Sequence, residues 1–256
     1  MTRISSAFQK GRKVLVAYLT AGDPNPDKTA EYVAALERGG VELIELGVPF
    51  SDPIADGPVI QAASQRALDS GTTLAGVLDI ARTIRKNSEI PLLLFTYMNP
   101  VVRYGFEALA RDAKKAGIDG CLMTDLSVEE AGDYVGVMRA ADLDTVFLAA
   151  PTSTERRLEL VAKYSTGFVY VVPRTGVTGE RDSLAGSAAP LLENLRRKTK
   201  LPLAIGFGIA NGAQAREAGK LADGVVVGSA IVRMIEQGGD LESFASSLRK
   251  GLDGKD

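Results

Sequence analysis

Residues 41–58, VELIELGVPFSDPIADGP, join an apolar run to a loop that is rich in proline and carboxylates. The run is mostly aliphatic and ends at turn-forming residues, a pattern typical of a strand buried on both faces of a parallel sheet. Two acidic residues, Glu45 and Asp56, lie on either side of the point where this strand would end. We therefore interpret the stretch as one strand that leads into a loop with a chemical function.

Runs of the same kind recur along the chain, and stretches with helical periodicity such as 106–117 separate them. Eight strand and helix units in 256 residues predict an α/β protein, a single-domain (β/α)8 TIM barrel spanning residues 1–256. An open, doubly wound sheet is the alternative. Its first strand would normally lead into a glycine-rich dinucleotide loop, whereas TAGDPNP stands here at 20–26. The eight runs are 14–20, 41–48, 91–97, 120–125, 145–150, 167–172, 202–207 and 224–228.

Composition excludes several classes of function. The formal net charge is −2 and the basic residues form no long run, so the chain lacks the positive field that nucleic-acid binding requires. No window is long and apolar enough for a membrane span, and the single cysteine, Cys121, cannot form an internal disulfide. We therefore expect a cytoplasmic protein that binds neither nucleic acid nor membrane.

Alternation along the run at 41–48 predicts the direction of its acidic side chains. Leu43 and Glu45 share one face of the strand, and Glu42 lies on the other. Glu45 stands near the carboxyl end, so we expect it to project into the top of the barrel, where burial would favour the protonated form for proton transfer. Glu42 is expected to reach solvent more easily. A buried structural carboxylate is the alternative interpretation of Glu45.

The loop that follows this strand contains two aspartates, Asp52 and Asp56. Three prolines within residues 49–58 stiffen its backbone, and such rigidity can hold a carboxylate in a fixed position. We therefore treat Asp56 as a second candidate for acid–base chemistry. Either aspartate could instead serve only as a turn or helix-capping residue.

Glycine-rich segments follow the last two predicted strands. Gly208, Gly228 and Ser229 can offer backbone N–H groups and a hydroxyl to a phosphate, at the place where barrel enzymes usually bind one. Tight turns are the alternative use of these glycines. Residues 174–190, RTGVTGERDSLAGSAAP, form a long predicted loop after the sixth strand and are a candidate lid, with a plain surface loop as the alternative.

Residue types that are absent from the chain, or from the predicted active end of the barrel, limit the possible reactions further. The chain has no histidine, which excludes the usual zinc ligand sets and histidine-bound metals. Lys13 and Lys200 precede their strands and would lie at the end of the barrel opposite an active site, which disfavours imine chemistry. We find no cofactor motif. We expect carboxylate acid–base chemistry on a phosphorylated small molecule, without metal or cofactor.

The segment at 45–61, ELGVPFSDPIADGPVIQ, resembles the signature of the tryptophan synthase alpha subunit family. The resemblance implies a TIM-barrel lyase of tryptophan biosynthesis, which cleaves indole-3-glycerol phosphate to indole and glyceraldehyde 3-phosphate. It also implies an α2β2 complex, in which indole passes to a beta subunit that carries pyridoxal phosphate. Further motifs follow in the family's order and spacing over nearly the whole chain: TAGDP at 20–24, FTYMNP at 95–100, APTST at 150–154, GVTG at 176–179, GFGI at 206–209 and GSAIV at 228–232.

The resemblance also implies roles for single residues. Glu45 would be the acid–base group near indole C3 and the glyceryl hydroxyl, and Asp56 would contact the indole N–H and stabilise positive charge on the ring. Thr178, in the lid, would support Asp56 in the closed form. The implied pocket residues are Phe95, Tyr97, Asp125 and Tyr170, and the implied phosphate-binding residues are Gly179, Gly208, Gly228 and Ser229.

Other functions stay open at this point. A stand-alone lyase of the same fold that releases free indole is the alternative to a subunit of a complex. Another phosphate-binding barrel enzyme, such as a sugar-phosphate isomerase, is a second possibility. A non-catalytic subunit that only activates a beta chain is a third, and the presence of both Glu45 and Asp56 argues against it.

Overall fold

The computed structural model describes residues 2–173, 184–206 and 208–255. Within these ranges, nine strands form one sheet in which every paired strand runs parallel to its neighbour. The strands are β1 Val14–Thr20, β2 Leu43–Gly47, β3 Leu92–Thr96, β4 Gly120–Met123, β5 Asp144–Thr145, β6 Leu148–Ala149, β7 Val169–Val171, β8 Leu203–Ile205 and β9 Gly224–Val227.

The sheet closes through the fifth predicted run. Its order is β5-β4-β3-β2-β1-β9-β8-β7-β6, so β5 and β6 are the two ends of the ladder and also neighbours in sequence. Between them, the Val146 amide donates to the Cys121 carbonyl at 3.2 Å, and the Phe147 carbonyl accepts from the Tyr170 amide at 3.1 Å. One half of the run therefore pairs with β4 and the other with β7. The predicted (β/α)8 barrel is confirmed, with its fifth strand split in two.

Most of the helices lie between strands in sequence and cover the outside of the sheet. Residues 174–183 of the predicted lid lie outside the described residues, and the rest of that segment belongs to a helix that begins at Leu184. The loop prediction was therefore wrong for 184–190, where the alanines favour a helix. The helices are α1 Arg3–Phe8, α2 Pro26–Arg38, α3 Pro58–Asp69, α4 Leu74–Arg85, α5 Met98–Tyr104, α6 Phe106–Ala116, α7 Gly132–Ala140, α8 Glu155–Tyr164, α9 Leu184–Lys198, α10 Gly212–Leu221, α11 Ser229–Glu236 and α12 Leu241–Leu252, with a 3-10 turn at Val128–Glu130.

Two apolar layers hold the barrel together. Alternate strand residues point outward and pack under the helices, and the others, such as Leu43 and Leu93, fill the interior. Helix α1 closes the amino-terminal end, because Ile4 is fully buried there and the ring of Phe8 lies 5.5 Å from that of Phe168. The barrel interior is thus filled at its amino-terminal end, and a site can open only at the carboxyl end of the strands. None of the helices in the described ranges is both long and apolar enough to cross a membrane.

The expectation for Glu42 was wrong. The residue is only 6% exposed, and its carboxylate accepts hydrogen bonds from Arg12 Nε at 2.9 Å and from Arg249 Nη1 at 3.0 Å. Its face of the strand points under the helix layer, where Arg249 of α12 reaches it. Two guanidinium groups supply the pairing that a buried carboxylate needs.

Candidate active site

Glu45 stands near the carboxyl end of β2 and points into the barrel. Its neighbours in register are Tyr18 on β1 and Leu93 on β3. The residue is 1% exposed, and among the described residues neither carboxyl oxygen has a hydrogen-bond partner. Burial raises the pKa of Glu45 to about 8, because the charged form would lose its hydration without gaining a donor. At neutral pH the side chain is therefore a neutral acid with a proton to give.

Asp56 lies on the loop that connects β2 to α3, and its backbone is fixed on both sides. Its amide donates to the Pro53 carbonyl at 3.0 Å, and its carbonyl accepts from Gln61 Nε2 at 2.8 Å. The neighbouring Asp52 is exposed, and its carbonyl closes a turn by accepting from the Ile54 amide at 2.9 Å. The stiff loop predicted from the sequence therefore presents Asp56 and leaves Asp52 in solvent.

Tyr97 connects this loop to the end of β3. Its hydroxyl donates to Asp56 Oδ2 at 2.8 Å and accepts from the Ala55 amide at 3.0 Å. Burial raises the pKa of Asp56 to about 6, and the hydrogen bond from Tyr97 opposes part of that rise. The two carboxyl groups consequently differ in protonation at neutral pH, Asp56 being mostly charged and Glu45 mostly neutral. Such a separation is what distinct acid and electrostatic roles require.

Aromatic side chains surround the two carboxyl groups. The rings of Tyr18 and Phe95 meet edge to face at a centroid distance of 5.1 Å. Burial, followed by the nearby carboxyl groups of Glu45 and Asp56, raises the pKa of the Tyr170 hydroxyl far above its usual value, so the ring stays neutral. Flat apolar faces beside a carboxyl acid fit an aromatic substrate.

Tyr18 was missed by sequence reasoning. Burial and then the charge of Asp56 raise the pKa of its hydroxyl, which lies 3.3 Å from Thr20 Oγ1. The sequence does predict the direction of this side chain, because Tyr18 lies on the same face of the strand as the inward residues Val14 and Val16.

Asp125 follows β4 and is exposed. Its Oδ1 accepts from the Met98 amide at 2.7 Å, at the first residue of α5. Phe95 and Tyr97 come from β3 and the residue just beyond it, so the structure brings these three predicted residues to one side of the site.

The predicted phosphate-binding residues lie at the ends of neighbouring strands. Gly208 follows β8 and has a φ of 64°, and Gly228 is the N-cap residue of α11, which begins at Ser229. The first amides of a helix have no partner within it and can donate to an anion. Thr178 and Gly179 lie outside the described residues.

Comparison with known proteins gives one family. A family model described as tryptophan synthase alpha chain matches residues 4–251. The chain is 62% identical to the tryptophan synthase alpha chain of Solibacter usitatus, with 98% of each sequence covered. It is 45% identical to that of Geotalea uraniireducens, again over 98% of each sequence.

Solved structures give the same result. The fold matches tryptophan synthase subunit alpha from Legionella pneumophila with a TM-score of 0.89 at 34% identity, covering 99% of each chain. It matches a chain of Mycobacterium tuberculosis tryptophan synthase with a TM-score of 0.91 at 35% identity, covering 98% of each chain.

Proposed function

Since the chain belongs to the tryptophan synthase alpha chain family, we propose that Glu45 and Asp56 carry its cleavage reaction. The enzyme is a lyase of tryptophan biosynthesis that cleaves indole-3-glycerol phosphate to indole and glyceraldehyde 3-phosphate. One observation carries the assignment of Glu45: a fully buried carboxyl with no hydrogen-bond partner among the described residues, whose pKa rises to about 8, at the active end of the barrel. Such a group is poised to give and take one proton near neutral pH.

Glu45 would act twice in one turnover. Its proton goes to indole C3, which makes the ring a cationic indolenine. The resulting carboxylate then removes the proton of the hydroxyl on the carbon bonded to C3. The electrons of the carbon–carbon bond return to the ring as the hydroxyl carbon becomes an aldehyde. Glu45 recovers its proton, so the reaction needs no redox cofactor and no metal.

Asp56 would stabilise the intermediate. Positive charge develops on the indole nitrogen while C3 is protonated, and a carboxylate that accepts a hydrogen bond from that N–H lowers the energy of the state. The bond from Tyr97 keeps Asp56 in one orientation and helps to keep it charged. The rings of Tyr18, Phe95 and Tyr170 would form the walls for the indole.

The phosphate would bind at the ends of β8 and β9, which β1 separates from β2 in the sheet. Gly208, Gly228 and Ser229 lie where the last two strands end, and α11 directs its amino-terminal amides there. Thr178 and Gly179 are proposed to complete the pocket and the phosphate site from the lid segment.

The partner is a tryptophan synthase beta subunit in an α2β2 complex, to which indole passes, and a stand-alone lyase is not favoured. We propose that the chain works as one domain, residues 1–256, in the cytoplasm. The single cysteine, Cys121, is buried and has no second cysteine to pair with, which fits a reducing compartment.

An assay of indole release from indole-3-glycerol phosphate tests this function, run with and without a beta subunit. We expect turnover by the isolated chain and a rise of about tenfold when the beta subunit is added. Absence of indole under both conditions would contradict the function. A rate that the beta subunit does not change would instead support the stand-alone lyase.

A further inference from the structure

The ends of β3 and β4 are joined on both sides of Tyr97. Upstream of it, the Thr96 carbonyl accepts from the Thr124 amide at 2.9 Å and from Thr124 Oγ1 at 3.3 Å. Downstream of it, the Met98 amide donates to Asp125 Oδ1 at 2.7 Å. Two consecutive residues of one strand end therefore hold the two residues that flank Tyr97 on the next.

Helix α5 takes its cap from outside its own sequence. Tyr97 is its N-cap residue, with φ −108° and ψ 161°, but the tyrosine side chain makes no capping hydrogen bond. Helices α4 and α8, in contrast, are capped by their own N-cap threonines. Tyrosine is not a capping residue, and the carboxylate of Asp125, from the neighbouring strand end, is the acceptor for the first helical amide.

The two sets of contacts form one path. Asp125 fixes the Met98 amide, and so the backbone from which the Tyr97 side chain extends. The Tyr97 hydroxyl then contacts both Ala55 and Asp56 of the loop. Tyr97 is 2% exposed and its ring lies 5.1 Å from that of Phe50, so the packed ring transmits a shift of its backbone to its hydroxyl.

We propose that Asp125 is a positioning residue for Asp56, acting through the Met98 amide and Tyr97. The proposal rests on the proposed role of Asp56 in the reaction. In this proposal Asp125 positions another residue and does not line the substrate pocket. An exposed carboxylate on a separate loop sets the place of the half-buried carboxylate of Asp56 by hydrogen bonds at the start of a short helix.

The test compares Asp125→Ala with Asp125→Asn in the indole-release assay. The asparagine keeps an acceptor oxygen and can still cap the helix, whereas the alanine cannot. We expect Asp125→Ala to lose about tenfold in kcat/KM, and Asp125→Asn to stay within about twofold of the parent enzyme. The matched control is Asp240→Ala, because Asp240 caps α12 by accepting from the Ser243 amide at 3.0 Å. Asp240→Ala should lower Tm about as much as Asp125→Ala does, and it should leave kcat/KM unchanged.

A pH profile separates positioning from simple loss of stability. Without the bond from Tyr97, the pKa of Asp56 should rise, so the acidic limb of kcat/KM should move to higher pH in Asp125→Ala. Within residues 2–173, 184–206 and 208–255, the titratable groups linked electrostatically to Asp56 are the hydroxyls of Tyr97, Tyr18 and Tyr170, which are neutral throughout this range. The Asp240→Ala profile should not move.

A double mutant identifies the path. In a Tyr97→Phe background, Asp125→Ala should add less than about a twofold further loss, because the hydroxyl it positions is already gone. Additive losses would overturn the proposal and favour direct contact of Asp125 with substrate. Full activity in Asp125→Ala would also overturn it. The proposed function is tested separately, because full activity of Asp56→Asn would contradict it.

Discussion

The ring of Tyr18 occupies the space that a side chain on Gly47 would need, since Cζ of Tyr18 lies 2.6 Å from the position of a Cβ there. Gly47 is the residue of β2 that pairs with Thr20 of β1, and it follows Glu45 on the inner face. The smallest residue at 47 thus lets an aromatic ring lie beside the acid. Gly206 does the same for Tyr170, whose Cζ lies 3.0 Å from its Cβ position.

Gly47→Ala should therefore reduce activity strongly, although the substitution adds only one methyl group. The added methyl group forces the Tyr18 ring away from β2 and into the pocket, because the ring is rigid and the strand is held in the sheet. We expect a loss of at least about tenfold in kcat/KM for indole release. The control is Gly136→Ala in α7, where nothing lies within 4 Å of the new Cβ. The control should keep full activity, and equal activity of both variants would contradict the packing argument.

Glu45→Gln should abolish most turnover. Glutamine keeps the size of the side chain but has no transferable proton, so we expect at least about a 100-fold loss in kcat. Binding of a non-cleavable substrate analogue, measured by calorimetry, should change little. Near-normal turnover would exclude Glu45 as the acid–base group.

The pH dependence of kcat/KM should be bell-shaped. Asp56 must be charged and its pKa is about 6, while Glu45 must start protonated and its pKa is about 8. Activity should therefore fall below the first value and above the second. The substrate phosphate also titrates near the acidic limb, with a pKa of about 6. Tyr97→Phe separates the two, because it should move the limb of Asp56 to higher pH and cannot move that of the substrate. If the acidic limb does not move in Tyr97→Phe, that limb reflects titration of the substrate phosphate and not of Asp56.

Glu45→Gln should also stabilise the fold, and more so as pH rises. Between its usual value of 4.5 and about 8, Glu45 is charged in the unfolded chain and protonated in the folded one. The folded state binds more protons in this window, so its stability falls as pH increases, by at most about 1.4 kcal/mol per pH unit. Glutamine removes this term. Urea unfolding of both proteins at about pH 5 and about pH 8 should show a widening difference, and a constant difference would mean that the carboxyl is not buried uncharged.

Gly228→Asp should impair substrate binding. The new carboxylate would stand at the amino terminus of α11, where a phosphate dianion is proposed to bind, and repulsion should raise KM by at least about tenfold. Gly136→Asp adds the same charge on the exposed face of α7 and should leave KM unchanged. An equal KM for both variants would place the phosphate elsewhere.

Most of the fold could be predicted from the sequence because its signals are local. Apolar runs separated by helical patterns indicate buried parallel strands, and a period of two placed Glu45 on the inner face with Leu43. The prolines around Asp56 likewise predicted a stiff loop, and in the structure the backbone of this loop forms hydrogen-bonded turns. The sequence by itself therefore determined the barrel, the inward acid and the rigid carboxylate next to it.

The tertiary structure alone decided which of these groups meet. Tyr97 and Asp56 are 41 positions apart, and only the pairing of β2 with β3 brings the tyrosine onto the loop. Glu42 is buried because α12, from the other end of the chain, supplies Arg249. The fifth strand is split because closing the barrel gives its two halves different partners. Periodicity fixes the face on which a side chain lies, but its partner, and hence its pKa, depends on segments that are distant in sequence and meet only when the sheet closes.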